Sequence, residues 1–259
     1  MSKRSASRFN TISFSSSTYI KPGASCPQGR LSHLICKGAS LTPHDRRGLA
    51  AHVHAESTHK LSFVSNFWAL VRDARLIADR DLESGEPNNP QRAPKESIWP
   101  SSLLYMVLMD QIGTAFEPRG EHPEYSGQGF RNALDLFATK VMPLSTDEQA
   151  ALYALRCSFA HDYSLVNVPS NSRRVELFHL FQLVWTVGEP LVTLPSLPWD
   201  GEVGTGTSEH RTVVNLREFE KLTENVISVL QDLARRDQLE LGSNLSSHEF
   251  ALRYGMNIS

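Results

Sequence analysis

Ser145-Thr146-Asp147-Glu148-Gln149-Ala150-Ala151-Leu152-Tyr153-Ala154-Leu155-Arg156-Cys157-Ser158-Phe159-Ala160-His161-Asp162-Tyr163 is the stretch on which the reading of this chain turns. Ser145 with Glu148 three residues on has the spacing of a capping box, in which the hydroxyl takes the Glu148 amide and the carboxylate reaches back, so a helix is expected from 146. Stepping about 100° per residue places Leu152, Leu155 and Phe159 on one side, the core face. Arg156 and His161 bracket a different sector, occupied by Tyr153, Cys157 and Ala160. The small residues between them suit an approaching helix better than open solvent. On an ideal helix the two are about 140° apart. They are expected to converge on one ligand only if the last turn is distorted or two copies face each other across a two-fold axis.

Outward from this helix, periodicity of three and four predicts others. Phe63, Phe67, Leu70, Val71, Ala74 and Ile77 recur over 61–83, with Arg72, Asp73, Arg75 and Asp79 between them, the pattern of an amphipathic helix. Prolines and turn formers make 84–98 a loop. Residues 101–116 read as a helix apolar enough to be buried on most sides, and 128–141 as a shorter one ending before Pro143. Beyond the motif, Val175, Leu177, His179, Phe181, Leu183 and Trp185 alternate, and Thr212–Asn215 is β-prone, so a small sheet is expected near 174–215, although 174–187 also fits a helix. The run Gly201-Glu202-Val203-Gly204-Thr205-Gly206 lacks the G-K-[ST] ending of a phosphate loop and reads as a hairpin loop. A last helix is predicted over 216–236, capped by Asn215 and Glu218, with Phe219, Leu222, Val226, Ile227, Leu230 and Leu233 on one side.

Charge is unevenly spread. Of 259 residues, the first 44 hold six basic side chains and no acid, leaving 20 basic against 28 acidic residues in the rest, a net of −8. An acidic body argues against a broad nucleic-acid surface, which needs clustered Lys and Arg, so any RNA contact is expected to be local. Residues 1–44, Ser-rich and without periodicity, read as a disordered leader, which can be an organelle transit peptide, a flexible tail or an upstream extension outside the folded domain. No apolar run is long enough to span a membrane. Cys26, Cys36 and Cys157 form no C-x-x-C pair and suit a reducing compartment, which places the chain in the cytoplasm. His44, His52, His54 and His59 have no acidic or cysteine partner at a ligand spacing and read as a solvated segment, so no metal or other cofactor is expected. Asp162 adjoins His161, but neighbouring helical residues point about 100° apart and do not make a dyad.

The Arg156 to His161 spacing resembles the R-x4-H motif of HEPN domains, helical proteins that include metal-independent RNases. The resemblance implies that Arg156 stabilises a phosphorane, that His161 acts as acid or base, and that two copies line one cleft. An imidazole near neutral pKa and a fixed bidentate cation are the groups such chemistry needs. Where active members usually carry a polar Asn, Asp or His after the arginine, this chain has Cys157. Tyr163 completes R-x4-H-x-Y, the form in HEPN toxins whose partner nucleotidyltransferase modifies the tyrosine, and so implies a toxin-antitoxin or phage-defence setting. Read from residues alone, Tyr163 can equally close the helix with its ring in the core. The expectation is a mainly α, HEPN-like helical bundle over 45–242 with a small β appendage, followed by a tail at 243–259. The expected function is a homodimeric endoribonuclease acting on RNA. The alternative is a non-catalytic HEPN-like module that dimerises or binds a partner or nucleotide through the same face.

Overall fold

The computed structural model describes residues 63–90, 98–125, 127–168, 178–242, 245, 249, 253 and 255–257. The chain runs β1 (Phe63–Ser65), α1 (Asn66–Ile77), α2 (Ile98–Ala115), β2 (Phe116–Pro118), α3 (Gly129–Leu136), α4 (Thr146–Asp162), β3 (Val166–Asn167), β4 (His179–Val184), β5 (Val192–Thr193), β6 (Arg211–Asn215), α5 (Leu216–Arg235), β7 (Leu239–Leu241) and β8 (Gly255–Asn257). The leader 1–44, the four early histidines and residues 174–177 of the alternating run lie outside the described residues.

α2 is the central element. Tyr105, Met106, Leu108, Met109 and Ile112 are all fully buried, as an almost uniformly apolar helix requires. Pro100 sits in its first turn, where the missing N–H has no intrahelical partner in any case. α1, α3, α4 and α5 surround α2 and share one core with Phe181 of β4, Val192 of β5 and Val214 of β6. At Gly113 the backbones of α2 and α3 touch, because a Cβ there would fall on Gly129 O and Ala133 N.

The mainly helical bundle expected above is corrected here: the fold is an α/β mixture. β3, β4, β6 and β5 form a four-stranded sheet in that order, with β4 and β6 parallel and the other pairs antiparallel. This sheet packs into the helical core rather than hanging from it, since Phe181 and Val214 are buried there. Two further antiparallel pairs join β2 to β7 and β1 to β8. β8 lies within 243–259, so part of the expected tail pairs with β1. Three-residue strands carry no readable alternation, and their ladder partners are distant in sequence.

Local boundaries differ for identifiable reasons. The helix expected over 61–83 is β1 followed by α1, which ends where Asp79 takes φ +53°, a left-handed residue that terminates helices. Asn215 stands at the N-cap of α5 but makes no side-chain cap. Its amide instead clamps the preceding loop, donating to Thr186 O at 2.9 Å and Glu189 O at 3.3 Å. The box at Ser145 forms as its spacing requires: Glu148 N donates to Ser145 Oγ at 3.3 Å and Ser145 N to Glu148 Oε2 at 2.8 Å.

Candidate functional site

α4 remains α-helical through Asp162, and Tyr163 closes it at φ +52° with its N–H bonded to Phe159 O at 3.1 Å. On this helix Arg156 Nη1 lies 3.3 Å from His161 Nε2. The two side chains meet each other within one copy, because the long guanidinium spans the roughly 140° that separates the two positions. Arginine has no acceptor, so a hydrogen bond here uses the Nε2 lone pair of the imidazole.

Arg156 is held from behind by Asp110 of α2. Its Nη2 donates to Asp110 Oδ2, while Asp110 Oδ1 accepts the Phe130 N–H at 2.9 Å. Phe130 is in the first turn of α3, where Gln128 provides no side-chain cap, so Asp110 caps α3 from another helix. The glycine crossing at Gly113 and Gly129 makes that reach possible. One carboxylate thus ties α2, α3 and α4 together. Burial, the largest single effect, disfavours the arginine charge, but the Asp110 carboxylate and the Cys157 side chain together more than offset it and raise the Arg156 pKa.

A second cation lies beside this pair. Arg131 of α3 sits 4.4 Å over the Tyr125 ring and 5.1 Å over the Tyr153 ring. Burial, and then the Cys157 side chain, raise the Tyr153 pKa, keeping that phenol neutral. Cys157 is a half-buried free thiol close enough to Tyr153 and Arg156 to raise the pKa of both. Tyr163 stacks on Phe159 at 4.9 Å and meets Trp99 at 5.2 Å, yet is 52% exposed, so its ring closes the helix end without entering the core.

The sequence reading missed Asp110, an acid in the last third of an apolar helix, whose polarity within that run was the available signal. It also missed a buried ionic cluster on the opposite side of α2. Glu220 and Glu224, one turn apart on α5, are both buried, with Arg75 and Arg80 from the α1 end and Ser101 and Tyr105 from α2. Arg75, expected on a solvent face, is 3% exposed and pairs with Glu224 at 2.8 Å through Nη2. Tyr105 donates to Glu224 Oε1 at 2.6 Å, its pKa raised first by burial and then by the Glu224 charge. Glu220 accepts from Ser101 at 2.7 Å and only loosely from Arg80 at 3.4 Å, and burial pushes its pKa up to about 7. The cleft reaching Glu220, lined by Arg80, Asn89, Trp185 and Arg217, has room for about one water and no substrate.

The chain matches no protein-family model, no curated protein and no solved structure. Its chemistry must therefore be read from its own side chains. Among the described residues no cluster of three or more His, Cys, Asp or Glu is placed to hold a metal ion, and no helix is long and apolar enough to cross a membrane. The Gly201–Gly206 segment makes a short 3-10 turn pinned by Asp200, which accepts from Thr205 Oγ1 at 2.7 Å, and is followed by a second three-residue 3-10 turn and β6 rather than by an α-helix that could bind phosphate.

Proposed function

We propose that the chain is a metal-independent endoribonuclease with HEPN-type chemistry, a cytoplasmic homodimer in which Arg156 holds the scissile phosphate and His161 moves the proton. The observation that carries the reading is the 3.3 Å approach of Arg156 Nη1 to His161 Nε2 at the surface of α4. In this resting arrangement the Nε2 lone pair is occupied by the guanidinium. A phosphate oxygen that takes the arginine N–H frees that lone pair for the ribose 2′-OH. The 2′ oxygen then attacks phosphorus, the bond to the 5′ oxygen breaks, and that oxygen takes a proton from His161 of the second copy, whose ring has taken that proton from solvent after its own Arg156 turned to the phosphate. The products are a 2′,3′-cyclic phosphate and a 5′-hydroxyl. Arg131 adds a second positive charge beside the site, which suits the local RNA contact an acidic body allows. In a toxin-antitoxin or phage-defence setting, exposed Tyr163 is the hydroxyl that a partner nucleotidyltransferase would modify.

The test is incubation of the full chain with mixed RNA in EDTA. His161→Ala and Arg156→Ala are each expected to lose about 100- to 10,000-fold of the cleavage rate. Arg156→Lys, which keeps the charge toward Asp110, guards against a folding artefact. Equal cleavage by all variants, or none by wild type, overturns the proposal. A second reading is favoured by Asp110, which grips Arg156 while capping α3. There the arginine is a structural tie in a non-catalytic module, and Arg156→Ala lowers stability and partner binding with no cleavage to lose.

A further inference from the structure

Tyr163 occupies a position that favours glycine or asparagine. Its φ of +52° and ψ of 39° are left-handed, and a bulky aromatic residue is a rare choice for that conformation. The side chain does not recover the cost by full burial, since the residue is 52% exposed. Its ring is nevertheless fixed: it lies 21° from the Phe159 plane at 4.9 Å and 5.2 Å from Trp99, while Trp99 and Phe159 are themselves 5.1 Å apart. Three aromatic rings from two helices thus end in one solvent-facing phenol. Phe159 is three residues past Arg156 and Tyr163 four past Phe159, the spacings that make neighbours on a helix surface. Phe159 itself lies on the buried face, about 60° round the helix from Arg156, and what joins the stack to the arginine is the helix end: Tyr163 follows His161 by two residues, so its exposed ring stands at the same C-terminal end of α4 as the Arg156–His161 pair. Unpaired bases stack on such rings whatever their identity, because every base has a π face, whereas bases held in a duplex cannot reach them.

We infer that the Tyr163 ring, supported by Phe159 and Trp99, is the platform on which an unpaired RNA base flanking the phosphate at Arg156 stacks. This rests on the reading of Arg156 and His161 as an RNA site, and it makes the substrate a single-stranded segment. Asp162, next to the platform, disfavours a second phosphate there and leaves stacking as the main attraction at that end.

The test measures binding of an eight-nucleotide adenylate strand, and of a blunt duplex of the same length, to full-length protein carrying His161→Ala so that nothing turns over. Tyr163→Gly, which relieves the left-handed strain, is expected to keep or raise the melting temperature while weakening single-strand binding about 5- to 100-fold. Tyr163→Phe is expected to bind within about twofold of the parent, since the π face is what is used. Unchanged affinity in Tyr163→Gly, tighter binding of the duplex, or no binding by the parent overturns the platform. Cleavage assays on chains with His161 intact separate the two proposals. If Tyr163→Gly cleaves with unchanged KM, the platform falls and the RNase reading stands. If the wild type never cleaves but octamer binding depends on Tyr163, the RNase reading falls and the platform stands.

Discussion

Gly85 shows how much a single residue carries in this fold. At φ +76° it bends the loop after α1 so that its Cα faces the Glu224 carboxylate, and an added Cβ would fall on Glu224 Oε2 and within 2.9 Å of Arg75 Nη2. Gly85→Ala combines left-handed strain with displacement of a buried ion pair, and is expected to cost about 2–4 kcal/mol in urea denaturation. An unchanged midpoint would mean that the carboxylate is not seated against the loop. Arg75 and Arg80 hold the same loop from inside, donating to Leu82 O at 2.9 Å and to Gly85 O at 2.8 Å. Nothing in the local sequence marks these arginines as buried. Polar residues between apolar ones on a helix read as a solvent face unless a distant carboxylate is known to meet them.

Among the elements, α3 depends most on its neighbours. It has eight residues, too few to be stable alone, and its own N-cap supplies no side-chain acceptor. Asp110→Ala removes the acceptor of the Phe130 N–H and the partner of Arg156 together, and is expected to cost about 1–2 kcal/mol, the pair being partly solvated. Hydrogen exchange should quicken at the Phe130 amide before the core amides of α2. Equal protection of Phe130 in wild type and variant would remove Asp110 as its cap. Asp110→Asn, which keeps an acceptor but not the charge, is expected to retain most of the Phe130 protection. By contrast α4 was legible from its first residue, because Ser145 and Glu148 act on each other across three positions.

At the scale of the whole molecule, the buried cluster between α1, α2 and α5 holds the carboxylate among the described residues whose pKa is raised furthest into the neutral range. Glu220 is fully buried, and burial lifts its pKa from 4.5 to about 7 despite the opposing effects of Ser101 and Arg80. Between those two values the folded chain holds a proton that the unfolded chain has released. Stability is therefore expected to fall as pH rises from about 4.5 to about 7, by at most about 1.4 kcal/mol per unit for one proton. Asp81 and Asp200 act oppositely: hydrogen bonds from Ser84 and Thr205 lower their pKa, so their contribution is lost as pH falls through the acid range. Thermal melts of wild type and Glu220→Gln across pH 4–8 test this. The variant should lose the decline between about 4.5 and about 7, and an identical profile would place the titration elsewhere.

The chain by itself determined the elements whose signals are local. The capped helix with Arg156 and His161 on it, the amphipathic α5 and the β-prone run Thr212–Asn215 follow from periodicity and caps that act over a few residues, whereas the alternation through His179–Val184 fitted a strand and a helix alike. Only the tertiary structure decided what those elements meet. Asp110 reaches Arg156 across 46 positions and Arg75 reaches Glu224 across 149; Arg75 does not differ locally from a solvated side chain, and Asp110 stands out as an acid in an apolar run without showing which cation it meets. The same holds for the three-residue strands, where Phe116 pairs with Leu241 because the helices between them pack. The meeting of Arg156 with His161 lies between the two cases. Their shared helix was legible, but the side-chain direction that closes the gap follows from the pull of Asp110 on the guanidinium, and that carboxylate is placed by the packing of α2 against α3.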